Sequence, residues 1–236
     1  MSKFLSQVIS IMQIKLHAFG YIRVAIASPK LKVADINFNV EEIKKCIDKC
    51  LKQQSQLILF PELSITGYTC ADIFYQTILL EHAQKAIKKI MIYSKNKNFT
   101  VILSSPFCVN GKLFNCAFFI SCGKILGIVP KTYLPNTNEF YEARWFSSSF
   151  DINCDEIFFN GAKIPFGTDI LFQCNELPDC IVGIEICEDL WAPIPPSSQM
   201  AVSGATLLLS PSASNELLYK SGFRKELIKT QSAKCM

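Results

Sequence analysis

Short runs of β-branched and aliphatic residues recur along the chain and predict the strands of a sheet. Residues 21–27, 57–60 and 100–104 are such runs, each bounded by polar or turn-forming residues. Between the runs, apolar residues recur with the period of an amphipathic helix. They are Val40, Ile43, Ile47 and Leu51, behind a predicted N-cap at Asn39, and then Leu79, Ala83, Ala86 and Ile90. The first part of the chain is therefore predicted to alternate strand and helix.

Beyond residue 104 the pattern changes to adjacent strands. Asn110-Gly111 lies between two apolar runs, which is a strong signal for a β-hairpin, and residues 115–120 and 124–129 continue the meander. Residues 132–150 form a long aromatic and polar segment, which predicts a functional loop. Further strands are predicted at residues 170–172, 181–186 and 206–210, a short helix at 196–203, and an amphipathic helix from Phe223 onward. A mixed sheet flanked by helices is an α/β fold.

Three of the predicted strands end at an ionisable residue. Glu62, Lys131 and Cys187 each come at or just after the end of a buried run. The chain turns away from the sheet after Cys187, where Glu188 and Asp189 lead into a proline-interrupted loop. We therefore expect the thiol to face a cleft at the edge of the sheet where ligands bind. Position alone does not identify it, because a free cysteine is usually a small buried hydrophobe.

A carboxylate, an ammonium and a thiol held together can hydrolyse an amide. In this hypothesis Cys187 attacks the carbonyl carbon, and Glu62 takes the thiol proton and later activates water. Lys131 and the backbone N–H of Glu188 stabilise the tetrahedral oxyanion. The Lys131 cation is also expected to favour the thiolate, since a free thiol has a pKa of about 8.5.

Composition favours one large domain and gives no sign of a nucleic-acid partner. The chain has 236 residues, about half of them apolar, and can bury one sizeable core. Its 24 basic and 20 acidic residues leave a net charge of +4, which bears on solubility and does not indicate nucleic-acid binding. The eleven cysteines are odd in number and scattered, which favours reduced thiols and a cytoplasmic location.

Neither a metal site nor a membrane span is predicted. Cys46 and Cys50 lie one helical turn apart, but the chain has only two histidines and no Cys-x-x-Cys pair. No apolar run approaches the about 18 residues of a transmembrane helix. Residues 1–17 are interpreted as an N-terminal extension before a domain at residues 18–236, because polar residues interrupt their apolar run and no signal-peptide cleavage site follows.

The segments around these strand ends resemble motif regions of the carbon–nitrogen hydrolase (nitrilase) superfamily. They read Phe-Pro-Glu-Leu-Ser-Ile-Thr-Gly-Tyr at residues 60–68, Pro-Lys-Thr-Tyr-Leu-Pro-Asn at 130–136 with Glu-Phe-Tyr-Glu at 139–142, and Gly-Ile-Glu-Ile-Cys-Glu-Asp-Leu-Trp at 183–191. More narrowly, they are similar to the glutaminase domain of bacterial-type glutamine-dependent NAD synthetase. Ser-Ala-Ser-Asn-Glu at 212–216 and Gln-Ser-Ala-Lys-Cys at 231–235 strengthen that match.

The resemblance implies a four-layer αββα sandwich with mixed sheets. It also implies that Glu62 is the general base, Lys131 the oxyanion support and Cys187 the nucleophile of a glutamine amidohydrolase. The pocket for L-glutamine that it implies is lined by Tyr68, Phe140, Glu142, Glu188, Ser214 and Lys220. The acidic residues of this set suit the α-ammonium group of the substrate.

Two features depart from the family pattern. Thr137 stands where the family usually has a tyrosine that contacts glutamine. The family's complete enzyme also continues into further strands and an ATP-using synthetase domain, and this chain contains no glycine-rich phosphate loop. The domain is therefore expected to be C-terminally incomplete, with the synthetase domain absent. ATP and Mg²⁺ would belong to that domain, and the glutaminase step is expected to need no cofactor.

The expected partners are L-glutamine and a NAD synthetase domain or chain that receives the ammonia. Unpaired strand edges favour self-association, so a homo-oligomer is also expected. Two alternatives remain at this point. One is a stand-alone amidase or carbamoylase with the same three catalytic residues, and the other is a truncated, non-catalytic fragment or binding partner.

Overall fold

The computed structural model describes residues 16–236, so most of the predicted extension at residues 1–17 lies outside the described part of the chain. Five strands form the larger sheet. They are β1 (Val24–Ile26), β2 (Leu57–Leu59), β3 (Thr100–Val109), β4 (Lys112–Ser121) and β5 (Lys124–Pro130), in that spatial order. Strands β1, β2 and β3 run parallel, whereas β4 and β5 pair antiparallel to their neighbours. The predicted change from alternation to a meander is confirmed.

Two long helices cover one face of this sheet. They are α1 (Ile36–Lys52) and α2 (Thr77–Ser94), whose predicted inner faces are buried against Ile58 and Val101 of the sheet. Neighbouring residues Leu57 and Leu59 belong to a different core on the opposite face. Because successive side chains of a strand point to opposite faces, the continuous apolar runs predict a sheet covered on both sides.

A second sheet packs against that opposite face. Its strands are β8 (Phe172–Cys174), β9 (Leu177–Ile184) and β10 (Leu207–Leu209), with β9 in the centre. Val182 and Ile184 of β9 share a core with Leu59 of β2. Helix α4 (Pro196–Val202) packs on β9, and Gln231 of α5 (Lys220–Lys234) donates to a serine hydroxyl of α4. The order helix, sheet, sheet, helix is the predicted αββα sandwich.

The predicted N-cap of α1 is wrong by one turn. Asp35 is the cap, and its Oδ1 accepts from the N–H of Phe38 at 3.1 Å. Asn39 instead lies inside the helix and is fully buried. Its amide donates to the carbonyls of Lys32 and Ile65 at 2.8 and 3.0 Å. Both residue types favour caps, so only the tertiary contacts of Asn39 decide between them.

The hairpin predicted at Asn110-Gly111 is confirmed, since it joins β3 to β4 with φ values of 49° and 79°. A second hairpin was not predicted, although Asn160-Gly161 carries the same signal. It consists of β6 (Glu156–Phe159) and β7 (Ala162–Pro165). The segment at residues 132–150 is ordered by two short helical turns, α3 (Glu142–Trp145) and a 3-10 turn.

Within residues 16–236, none of the helices has the length and apolar character required to cross a membrane.

Candidate active site

The structure brings together the three ionisable residues predicted at strand ends. Glu62 follows β2, Lys131 follows β5, and Cys187 follows β9. The Nζ of Lys131 donates to Oε1 of Glu62 at 2.7 Å, and the thiol of Cys187 lies close enough for both groups to influence its ionisation. The side chains of Glu62 and Lys131 are fully buried. The strand ends thus form one charged cluster inside the sandwich.

Glu62 is fixed through both of its carboxylate oxygens. Oε1 accepts from Lys131 Nζ and from the side-chain amide of Asn115, each at 2.7 Å. Oε2 accepts from the backbone N–H of Ala213 at 3.1 Å. Because Oε1 already has two strong donors, Oε2 is the oxygen with the greater remaining capacity to accept a proton.

A second carboxylate lies on the other side of the lysine. Oε1 of Glu142 accepts from Lys131 Nζ at 2.7 Å and from the hydroxyl of Tyr68 at 2.6 Å. Burial opposes the charge of Lys131, but Glu62 and Glu142 outweigh burial and raise its pKa above its ordinary value. Burial and Glu62 raise the pKa of Glu142 to about 7, against the opposing effects of Lys131 and Tyr68. Lys131 is therefore an ammonium group shared by two buried carboxylates.

Cys187 sits at a strained point of the backbone. Its φ is 50°, in the left-handed region that non-glycine residues rarely adopt, and it begins the 3-10 segment Cys187–Trp191. A sharp turn of this kind aims a nucleophile out of the sheet edge. We expected the thiol to face a cleft, and although only 6% of the residue is exposed, it lines a cavity.

The surroundings of Cys187 favour the thiol over the thiolate. Burial and the nearby Glu62 carboxylate raise its pKa well above the ordinary value, and they outweigh the opposing effects of Lys131 and the Ala213 N–H. Lys131 acts in the predicted direction, because its charge lowers the pKa of the thiol. Deprotonation of Cys187 therefore needs a base, and Glu62 is in place to supply it.

The cavity at Cys187 has a volume of about 180 Å³. This is smaller than the about 300–1,000 Å³ of sites for drug-sized ligands, so it suits a small molecule. Four of the six predicted pocket residues line it together with Cys187, namely Phe140, Glu188, Ser214 and Lys220. The cavity thus places a carboxylate and an ammonium group at the mouth of the thiol site.

The other two predicted pocket residues lie behind the cavity in the charged cluster. Tyr68 and Glu142 bind each other, and Glu142 binds Lys131. Only 1% of Glu142 is exposed, and its second oxygen is buried without a hydrogen-bond partner. Its carboxylate is therefore bound to Lys131, whereas Glu188 lines the cavity.

Sequence reasoning missed two buried polar residues next to the cluster. Asn115 lies on β4 inside an apolar run, where no local signal marks it, and it also accepts from the backbone N–H of Lys131 at 2.8 Å. Asp189 lies within a motif quoted above but was read only as part of a turn. Its carboxylate accepts three backbone N–H groups, from Thr132, Tyr133 and Ile186.

No group of three or more histidine, cysteine, aspartate or glutamate side chains in the described part of the chain could hold a metal ion. The cluster is built from one ammonium, two carboxylates and a thiol.

A two-sheet α/β sandwich that holds a thiol, an ammonium and a carboxylate at its strand ends is a scaffold for hydrolysing carbon–nitrogen bonds. The model of the Carbon-nitrogen hydrolase family matches residues 23–229. The chain belongs to this family and is thus related to enzymes.

The relatives found by sequence belong to a narrower group of proteins. The glutamine-dependent NAD(+) synthetase of Mycobacterium tuberculosis is 33% identical over 217 residues, which cover 92% of this chain and 32% of the relative. The human protein of the same name is 28% identical, covering 85% of this chain and 29% of the relative. The chain therefore spans about a third of the length of the curated relatives it matches.

Solved structures agree with this result. A glutamine-dependent NAD(+) synthetase from Cytophaga hutchinsonii superimposes with a TM-score of 0.79 at 31% identity, over 89% of this chain and 33% of that chain. An amidase from Nesterenkonia sp. superimposes with a TM-score of 0.70 at 18% identity, over 89% of this chain and 71% of that chain. The comparison with the amidase shows only that the two chains have the same fold.

Proposed function

We propose that this chain hydrolyses the side-chain amide of L-glutamine, with Cys187 as nucleophile, Glu62 as general base and Lys131 as oxyanion support. The observation that carries the proposal is the contact of Lys131 with Glu62 at 2.7 Å beside a thiol that lines a small cavity. The names of the relatives support glutamine as the substrate.

The chemical steps follow from the contacts of the cluster. Glu62 takes the thiol proton as Cys187 Sγ attacks the amide carbon, and it returns that proton to the leaving ammonia. Water then attacks the thioester and gives its proton to Glu62, which releases glutamate and restores the thiol. An ammonium has three donors, and two of those of Lys131 already bind Glu62 and Glu142. The third remains for the oxyanion, together with the N–H of Glu188.

The charges lining the cavity favour an amino acid over a simple amide. Glu188 and Lys220 both line it, and they complement the α-ammonium and α-carboxylate groups of glutamine. We propose Phe140 and Ser214 as further contacts of the bound substrate. Tyr68 and Glu142 support the cluster behind them.

Glutamine is expected to be preferred over butyramide by well over tenfold in kcat/KM, because a site built for a charged group loses that contact with an uncharged substrate. Glu188→Gln should raise the KM for glutamine and leave butyramide hydrolysis unchanged. Ammonia release across a panel of amides measures both effects. Equal kcat/KM for the two amides would instead favour the stand-alone amidase, whose fold this chain shares.

Glu62→Gln is expected to have opposite effects on turnover and on thiol ionisation. Turnover should fall by about 10²–10⁴-fold, because the general base is lost. The pKa of Cys187 should fall, since Glu62 raises it and Lys131 lowers it, so iodoacetamide should alkylate Cys187 faster at neutral pH.

Mass spectrometry of Cys187 and an ammonia assay test this pair of effects on one preparation. Glu226→Gln is the control, because Glu226 is exposed and forms an ion pair with Lys229 at the surface. Turnover at the wild-type rate in Glu62→Gln would remove Glu62 from the proposed role, and slower alkylation would contradict the predicted fall in the pKa of Cys187.

The ammonia is proposed to serve a NAD synthetase domain or chain that amidates deamido-NAD, since the relatives are NAD synthetases about three times as long as the matched region. ATP and Mg²⁺ would act there. We also propose a cytoplasmic homo-oligomer, and the eleven free cysteines are consistent with a reducing compartment.

A further inference from the structure

We propose that Asp189 is a positioning residue that sets the placement of the Cys187 thiol relative to Lys131. The inference rests on the proposed function and adds a residue to its machinery. Asp189 touches neither the cavity nor the thiol in any contact described above. It acts through the backbone of the two segments that carry the reacting groups.

The carboxylate of Asp189 joins two strand ends. Oδ1 accepts from the N–H groups of Thr132 and Tyr133 at 3.0 and 2.7 Å, directly after Lys131. Oδ2 accepts from the N–H of Ile186 at 2.8 Å, directly before Cys187. One side chain therefore spans the segment of the proposed oxyanion support and the segment of the proposed nucleophile, 56 or 57 positions apart.

The position requires a carboxylate. Three backbone donors converge on Asp189, and only an ionised carboxyl group can accept from all of them without offering a donor. The residue is buried with 1% exposure, and burial raises its pKa to about 7 despite the opposing effect of these donors. The buried charge of Asp189 lies on the turn in which Cys187 has a φ of 50°. It therefore holds a strained backbone in place.

Asp189→Asn isolates one of the three bonds. The amide oxygen can still accept from Thr132 and Tyr133, which forces Nδ2 to face the N–H of Ile186. If the amide flipped, Nδ2 would face the two N–H donors of Thr132 and Tyr133 instead of the one N–H donor of Ile186. The variant therefore loosens the bond next to Cys187 and keeps the bonds next to Lys131.

The expected result is a fall of about 10–100-fold in kcat for glutamine with KM within about twofold of wild type, because a misplaced reacting group affects the chemical step more than substrate binding. Alkylation of Cys187 by iodoacetamide should slow at neutral pH, with its pH profile shifted upward, since the thiol moves away from the Lys131 cation.

Glu185→Gln is the matched control. Glu185 is also buried, lies two residues before Cys187, and accepts a single backbone N–H, from Ser197, which its amide oxygen can still do. This control should keep the wild-type kcat and alkylation profile. The alkylation comparison needs no glutaminase activity. If wild type fails to release ammonia, the proposed function falls, and the alkylation profiles alone still decide the role of Asp189.

A backbone variant covers the case in which Asp189→Asn does not fold. Replacing the Ile186 amide by an ester, through the corresponding α-hydroxy acid, exchanges the N–H that donates to Oδ2 for an oxygen and also weakens the Glu185 carbonyl as an acceptor. The ester variant should lower kcat and slow alkylation, as Asp189→Asn does. When the ester is combined with Asp189→Asn, part of the kcat lost in Asp189→Asn should return. Wild-type kcat and alkylation in both the asparagine and the ester variants would overturn the proposal.

Discussion

Cys187→Ala should abolish glutamine hydrolysis, with a loss of at least about three orders of magnitude. The covalent route depends on one thiol, and no neighbouring group of the cluster can replace it as a nucleophile of similar strength. Cys187→Ser should also be inactive at this level, because a hydroxyl beside the same base is a much weaker nucleophile. Steady-state ammonia release measures the loss, and intact-protein mass spectrometry should show an acyl adduct in wild type only.

The control for this experiment is Cys180→Ala. Cys180 lies on β9, the strand that precedes Cys187, and both cysteines are 6% exposed and belong to the core between the sheets, but Cys180 does not line the cavity at Cys187. The Cys180→Ala substitution should lower the free energy of unfolding through lost packing and leave kcat unchanged. Turnover above one-tenth of wild type in Cys187→Ala would exclude the covalent mechanism.

Lys131→Met is expected to be the most destabilising substitution in the site, as well as an inactive one. It leaves Glu62 and Glu142 buried together with no cation between them, and breaking a buried ion pair in this way costs about 3–5 kcal/mol. Methionine keeps most of the side-chain volume, so the loss reflects charge and not a cavity. Denaturant unfolding measures the change in the free energy of unfolding.

Neutralising one of the two carboxylates left without a cation should recover part of the lost free energy of unfolding. Lys131→Met combined with Glu142→Gln is expected to be more stable than Lys131→Met alone and equally inactive. Lys163→Met is the surface control, since Lys163 and Glu156 form an exposed pair whose loss costs about 0–1 kcal/mol. A double variant no more stable than the single one would show that the two carboxylates do not destabilise each other once Lys131 is removed.

The stability deficit of Lys131→Met should also shrink as the pH falls. The pKa of Glu142 is already raised to about 7 in the native cluster, above the value of about 4.3 in an unfolded chain. Losing Lys131, which lowers this pKa, raises it further. A raised native pKa means that the folded protein binds the extra proton, so stability increases on acidification. The deficit at about pH 5 should therefore be smaller than that at about pH 8.

Local patterns predicted most of the elements but placed several of their ends wrongly. The helix faces of α1 and α2 and the hairpin at Asn110-Gly111 depend on periodicity and turn chemistry, which act over a few residues. The N-cap of α1 was misplaced because Asn39 is held by two distant carbonyls that no local rule contains. The unpredicted hairpin at residues 156–165 is short and only partly buried, so its apolar pattern is weak.

The sequence by itself determined the α/β class and the buried strands, and it marked Glu62, Lys131 and Cys187 as ionisable residues at the ends of three of them. This was possible because side-chain type and strand position are local properties. It also supplied the family, through motifs that keep these residues in register.

Only the tertiary structure decided how the charges are shared. Lys131 and Glu62 lie 69 positions apart, and their contact forms only when β2 and β5 are assembled in the same sheet. The contacts of Asp189 also require the second sheet. Burial then determines the electrostatics, because desolvation raises the pKa of the Cys187 thiol more strongly than Lys131 lowers it. Neither the distance nor the loss of solvent can be read from a linear chain, since both depend on side chains that are remote in sequence.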